Sequence, residues 1–362
     1  MAGVPGLSRG AVALAALWTT WLHVGLWVGL RNGLIDRGML ELLQHETPRL
    51  LSWTGRVHPP LYSLVLAAAR WGERAWGVDA GHLLFLQGAV VHVLLVLLVG
   101  AVGGRWFGPW AGAGAAWLLA FGTESMRPFE HYPISALTTT TAALAMVWLA
   151  REGGRERAAV AVGAVWLCVM LHLSPWFLLG PLAVGLWVGF PAQRRILVGA
   201  AAVALVGFLA TTYPGLYRQL VDEGAGGGED GVATVGWMNG WLLLPLLVAA
   251  RRDRERPTLA ALAAALAAYT LVTFGLQVAQ IADGQPYPSS LHYFALVEPL
   301  VVLTGVGALA RAARDPGLKT GVLLAAAALA VTQGMRWVES MDWMWRQQTG
   351  MWTQALQPWN WF

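Results

Sequence analysis

The chain has 362 residues, of which 57% are hydrophobic and only 12% charged, with a mean hydropathy of +0.54, a balance that excludes an ordinary soluble globule. The net charge of +4 comes from 24 basic and 20 acidic residues, and the basic ones fall in short connections between apolar runs, where they read as topology determinants and not as a nucleic-acid surface. The single cysteine, Cys168, lies in an apolar run and excludes an intrachain disulfide or a cysteine-rich metal site; it reads as a small core residue.

Apolar runs of about 17 to 25 residues recur along nearly the whole length, each long enough to cross roughly 30 Å of hydrocarbon as a helix. The expectation is an all-α polytopic membrane protein, a single transmembrane domain over residues 1–362 with about eleven spans. In chain order these are 11–30, 82–103, 109–122, 134–150, 158–173, 175–191, 196–213, 236–250, 258–281, 291–311 and 319–335. Pro175 and Pro245 are expected to break or kink their helices. The first run, preceded by Arg9, is too long for a signal peptide and has no small-residue cleavage site after it, so it reads as an uncleaved first helix.

With the N-terminus in the cytoplasm, fourteen of the 24 basic residues and five of the 20 acidic ones lie inside, a net +9 against −5 outside. The inner loops are then turns of a few residues. No GxxxxGK[ST] phosphate loop is present. The longer, acidic and aromatic-rich connections all face outward, and candidate chemistry is sought there.

The first outer segment, residues 31–58, places Ile35, Met39, Leu42 and Leu43 at helical spacing with Arg37, Glu41, Gln44 and His45 on other sides, a juxtamembrane amphipathic helix. Asp36 stands at its start, where partial desolvation favours a basic carboxylate; the same position suits a helix cap or a partner of Arg31 or Arg37. The segment ends in His58-Pro59-Pro60-Leu61-Tyr62, whose prolines hold the imidazole at a rigid corner before the next helix. Arg56 and Tyr62 flank that corner.

The second outer segment gathers Glu124, Arg127, Glu130, His131 and Tyr132 between two apolar helices. Arg127 suits a phosphate clamp, or else a self-satisfied network with Glu124 and Glu130. His172, before Ser174-Pro175, sits at an outer hairpin and either joins the same cavity or caps its helix. His23 and His92, inside spans, read as satisfied by neighbouring helices. Residues 213–235 form a glycine-rich acidic outer loop, a flexible linker or lid, without calcium-ligand spacing. Late in the chain, Leu291 to Leu300 opens a helix from outside with His292 and Tyr293 toward the cavity and Glu298 one to two turns deeper. The tail 336–362 holds six tryptophans, an interfacial belt.

The pieces LIDRGMLELL and GRVHPPLYSLVLAAARWG resemble the GT-C glycosyltransferases, in particular the protein mannosyltransferase and lipid A aminoarabinose transferase branch. The resemblance implies transfer of a sugar from a polyprenyl-phosphate donor to a lipid, glycan or protein acceptor. It casts Asp36 as the catalytic carboxylate and His58 as the basic residue that meets the donor phosphate. His292-Tyr293 resembles the RY…P start of a late helix, with histidine replacing arginine. Many relatives carry an Asp-Glu pair where this chain has Asp36-Arg37, which leaves a requirement for a divalent metal open. The implied location is a bacterial inner membrane with the site on the periplasmic face and no C-terminal soluble domain. Membrane lipids are the other expected partners, and nucleic acid is not. Two other classes stay open on the residues alone: a lipid or solute transporter, and a non-catalytic membrane assembly subunit.

Overall fold

The structure, a computed structural model, describes residues 5–31, 60–121, 132–172, 174–211, 256–282, 296–327 and 331, and among them every regular element is helical. The helices are α1 (Pro5–Arg31), α2 (Pro60–Trp76), α3 (Ala80–Phe107), α4 (Pro109–Ala120), α5 (Tyr132–Glu152), α6 (Arg155–Leu171), α7 (Trp176–Gly189), α8 (Arg194–Thr211), α9 (Arg256–Ala282) and α10 (Glu298–Ala312). Short 3-10 turns cover Pro191–Gln193 and Pro316–Leu318. Proline is the first residue of α1, α2 and α4 and the second of α5, α9 and α10. Its fixed φ and missing N–H suit a helix start, where that donor has no intrahelical partner.

Three described helical stretches are long and apolar enough to cross a membrane: Ala80–Phe107, Pro133–Glu152 and Arg256–Thr273. α7 and α8 add a fourth if taken as one broken span, since they meet at an angle of 111°. The break follows from Pro191, which steers Phe190 out of helical geometry to φ −127° and ψ 72°. The expected span 236–250 lies outside the described residues, as do parts of several others. The run 109–122 forms a helix of only 12 residues, about 18 Å long, which is too short to cross hydrocarbon alone. α2, not counted among the spans, is a separate amphipathic helix that carries Arg70, Glu73 and Arg74 and exposes Trp71 and Trp76.

The chain divides into two compact units. In the first, α1, α3 and α4 pack against one another. α3 begins under Asp79, whose carboxylate accepts from the Gly81 amide at 2.8 Å and the His82 amide at 3.4 Å. Its exposed face carries Leu86, Val90, Leu94 and Leu97, and its buried face Phe85, His92, Val96 and Val99, a division expected of a helix with lipid on one side. Gly108, at φ +113°, joins α3 to α4 in a one-residue turn. The return is close: a Cβ on Gly112 would stand 2.5 Å from the Gly104 nitrogen and 2.7 Å from its Cα, and would also collide with the Gly100 carbonyl. Gly100 and Gly104 form a GxxxG pair, and the spacing lets two backbones touch where lipid supplies no hydrophobic drive for association.

The second unit holds nearly all of α5, together with α6 to α9 and the start of α10. α6 packs on α8 and α7 on α9. Thr139 Oγ1 lies 3.4 Å from the Cys168 sulfur, stitching α5 to α6. Cys168 is fully buried, a small core residue. Gly185 lets α7 approach α9, because a Cβ there would lie 3.0 Å from the Cα of Ala261.

Gly112→Ala is expected to destabilise the protein by about 1–3 kcal/mol, since backbone atoms of α3 must move to admit one methyl group. Gly114→Ala, at a position with no neighbour within 4 Å, should instead be neutral or stabilising by about 0.5–1 kcal/mol. Thermal melting of the purified protein in detergent distinguishes the two, and equal melting of both variants refutes the contact.

Candidate functional site

The last turn of α6 ends at Leu171, where His172 leaves the helix in an extended conformation and donates its backbone N–H to the Cys168 carbonyl. Two residues on, Ser174 folds back. Its backbone N–H reaches His172 Nδ1 at 3.2 Å and its Oγ lies 2.9 Å from the same nitrogen. From α9, Tyr269 donates its hydroxyl to Ser174 Oγ at 3.3 Å. All three side chains are buried, His172 at 8% exposure and Tyr269 fully.

The direction of this chain follows from its one unambiguous member. A backbone amide only donates, so His172 Nδ1 accepts, and a neutral imidazole then carries its proton on Nε2. Ser174 accepts from Tyr269 and donates onward to the ring. The arrangement fixes the imidazole plane and tautomer and leaves the remaining ring proton on Nε2.

Glu298 is the first residue of α10 and is 3% exposed. The sequence placed it one to two turns inside a helix beginning near 291; in the described helix it stands in the first turn, where the helix dipole favours a carboxylate. Arg311 is also buried, in the last turn of the same helix and so in the matching sense. Both groups are engaged by other residues.

Of the other expected site residues, Tyr62 lies in the first turn of α2 and Tyr132 opens α5. Asp36, Arg56, His58, Glu124, Arg127, Glu130, His131, His292 and Tyr293 lie outside the described residues. Among the described residues no group of three or more His, Cys, Asp and Glu gathers as a metal site.

In the first unit, His23 and His92 meet edge to face with ring centroids 5.1 Å apart. His23 Nδ1 donates to the Thr19 carbonyl at 2.7 Å, which orders its ring. Neither nitrogen of His92 makes a hydrogen bond of good geometry, although the Leu119 backbone lies beside it. The expectation that neighbouring helices satisfy both imidazoles is not met for His92, whose contact with His23 is through the rings, and the bond of His23 Nδ1 stays within its own helix.

The residues that sequence reasoning missed are Ser174 and Tyr269. Tyr269 had a signal, a lone phenol in the run AALAAALAAYTLVT, because a phenolic hydroxyl inside an apolar helix needs a partner. Its partner is 95 residues away, and no periodicity identifies it.

No protein-family model matches the chain, and no curated protein does. Two solved structures of the Archaeoglobus fulgidus oligosaccharyltransferase resemble it. One is tethered by a disulfide to an acceptor peptide containing the NVT sequon, with 13% identity, coverage of 96% of this chain and 55% of that one, and a TM-score of 0.46. The other is a complex with zinc and sulfate, with 13% identity, coverage of 96% and 57%, and a TM-score of 0.43. This chain therefore spans a little over half the length of those structures.

Ser174→Ala is expected to cost about 1–3 kcal/mol, because it removes the buried hydroxyl that accepts from Tyr269 and bonds to His172. Tyr269→Phe should cost less, about 0.5–1.5 kcal/mol, since Ser174 keeps its bond to His172. Melting in detergent measures both. A Ser174→Ala variant as stable as wild type, or a nitrogen-15 NMR spectrum with His172 protonated at Nδ1 in its neutral form, contradicts the hydrogen-bond chain.

Proposed function

We propose that this protein is a membrane glycosyltransferase of the GT-C kind, moving a sugar from a polyprenyl-phosphate donor to an acceptor on the outer face. The observation that carries the reading is the order of features in the sequence. An apolar helix is followed by Asp36 on an amphipathic stretch, then a basic residue directly before a double proline, then a further helix. Pro60 as the first residue of α2 and Arg31 as the last of α1 are consistent with the ends of that order.

Asp36 takes the proton from, or orients, the acceptor hydroxyl as its oxygen attacks the anomeric carbon. The bond from that carbon to the phosphate oxygen breaks, and its electron pair leaves with the lipid phosphate. His58, Arg127 and His292 neutralise that departing charge, which is best met by cations already in place. One carboxylate acting as base, not nucleophile, inverts the anomeric centre. His172, held by Ser174 and Tyr269, belongs to the same cavity in this reading.

The transporter alternative draws on the break between α7 and α8, since broken helices border substrate sites in many carriers. It requires lipid or solute movement without glycosidic bond formation.

Membranes containing Asp36→Asn should transfer radiolabelled sugar from a polyprenyl phosphate at about 10²–10⁴ lower rate than wild type, with protein level unchanged. His58→Gln should lower transfer by on the order of 10² through loss of charge at the leaving group. Transfer by Asp36→Asn at the wild-type rate would falsify the catalytic assignment, and solute or lipid flux from a chain that transfers nothing supports the carrier.

A further inference from the structure

Four arginines occupy the first positions of three helices in the second unit: Arg155 opens α6, Arg194 and Arg195 open α8, and Arg256 opens α9. A helix start is the positive end of its dipole, so cations there are disfavoured and acidic residues are the usual occupants. Only α6 has one in its first turn, Glu156. Among the described residues, the first turns of α8 and α9 therefore offer no carboxylate to these cations.

The three starts also lie together. A Cβ on Gly153 would come 2.9 Å from Gln193 Cδ, and one on Gly189 would come 3.1 Å from Pro257 Cβ, so the turn before α6, the turn before α8 and the start of α9 share one surface. Arg151, Arg155, Arg157, Arg194, Arg195 and Arg256 stand on it against Glu152 and Glu156. It is the face that the charge count assigns to the cytoplasm.

These arginines are not equivalent. Arg157 is neutralised internally: it pairs with Glu152 at 2.9 Å, donates to the Gly153 carbonyl at 3.0 Å and lies 5.1 Å over the Trp148 ring. Arg194 is held differently. Its Nε donates to the Trp187 carbonyl at 3.1 Å and its guanidinium lies 4.6 Å over the Trp187 ring, which orients the fork and leaves both terminal NH2 groups for an acceptor outside the protein. Arg155 and Arg195 are exposed and have no partner among the described residues. Directly along α7, Val184 and Val188 are exposed apolar groups and Trp187 is 42% exposed, so the patch begins where lipid-facing surface ends, at headgroup height.

We propose that this surface binds the phosphodiester headgroups of anionic phospholipids, with Arg194 as an oriented fork and Arg155 and Arg195 beside it. The occupant follows from height and sign: an acceptor that is anionic, carries phosphate oxygens matched to a guanidinium, and is present where the hydrocarbon meets water. The inference does not depend on the glycosyltransferase reading.

The test uses the full chain in mixed phosphatidylglycerol and phosphatidylcholine vesicles, extracted gently, with each retained lipid counted by mass spectrometry. Wild type should retain phosphatidylglycerol preferentially. Each arginine removed should lower that preference about fivefold, and R155Q/R194Q/R195Q on the order of a hundredfold. R157Q, already neutralised in place, should keep the wild-type preference, and Trp187→Ala should lose part of it by releasing Arg194. If the triple variant does not fold, as judged by elution and circular dichroism, R195Q alone should show the single-site loss. An unchanged preference in the folded variants, a loss in R157Q equal to theirs, or displacement of the lipid by inorganic phosphate overturns the proposal.

Discussion

Hydrocarbon offers no hydrogen-bonding partner, so each polar group carried into it must be met from within the chain. That constraint accounts for the bonds several buried polar groups make, though His92 and the hydroxyls of Ser135, Thr140, Thr258 and Thr304 make none of good geometry among the described residues. Several hydroxyls in the helices return to their own preceding turn: Thr19 to the Ala15 carbonyl at 2.9 Å, Thr139 to Ser135 at 2.6 Å and Thr273 to Tyr269 at 2.6 Å. Where a helix ends and cannot serve itself, between α6 and α7, a serine, a histidine and a tyrosine from another helix close the gap. The same solvent removes the ordinary drive for helices to associate, which is why the close approach of α3 and α4 is made by glycines.

Hydropathy made most of the helices legible. The expected 82–103, 158–173, 196–213 and 258–281 correspond to Ala80–Phe107, Arg155–Leu171, Arg194–Thr211 and Arg256–Ala282. Agreement within a few residues reflects prolines and charged residues that end apolar runs abruptly. α2 was legible as a helix after the double proline but not as a span, because Arg70, Glu73 and Arg74 interrupt the hydropathy. The expected 109–122 was already short, and the described α4, Pro109–Ala120, matches it within two residues; what the sequence did not reveal is how closely Gly112 returns along α3.

The candidate site divides in the same way. His172 was legible as a polar group at a hairpin, and its expected place at a helix end agrees with its position after Leu171. Its tautomer was not legible, because that depends on a turn geometry two residues long and on Tyr269, brought in by the packing of α7 on α9. Glu298 shows the converse: its charge was conspicuous, but its depth depended on where the described helix begins. Local chemistry survives in a sequence, whereas distances across the fold arise only when helices pack.

The arginines at helix starts bring the two kinds of information together. Sequence alone explains them as orientation signals, and that account is indifferent to where along a connection they fall. Their placement is not indifferent. Moving Arg155 or Arg194 toward the end of the preceding helix would preserve the orientation signal and align each cation with the negative end of a dipole. Instead the cations sit on positive helix ends, and one of them is fixed on a tryptophan whose backbone carbonyl takes only its Nε donor. An arrangement that raises the energy of the isolated chain is stabilised when an anion shares the surface, and the membrane in which the chain sits presents a dense layer of them.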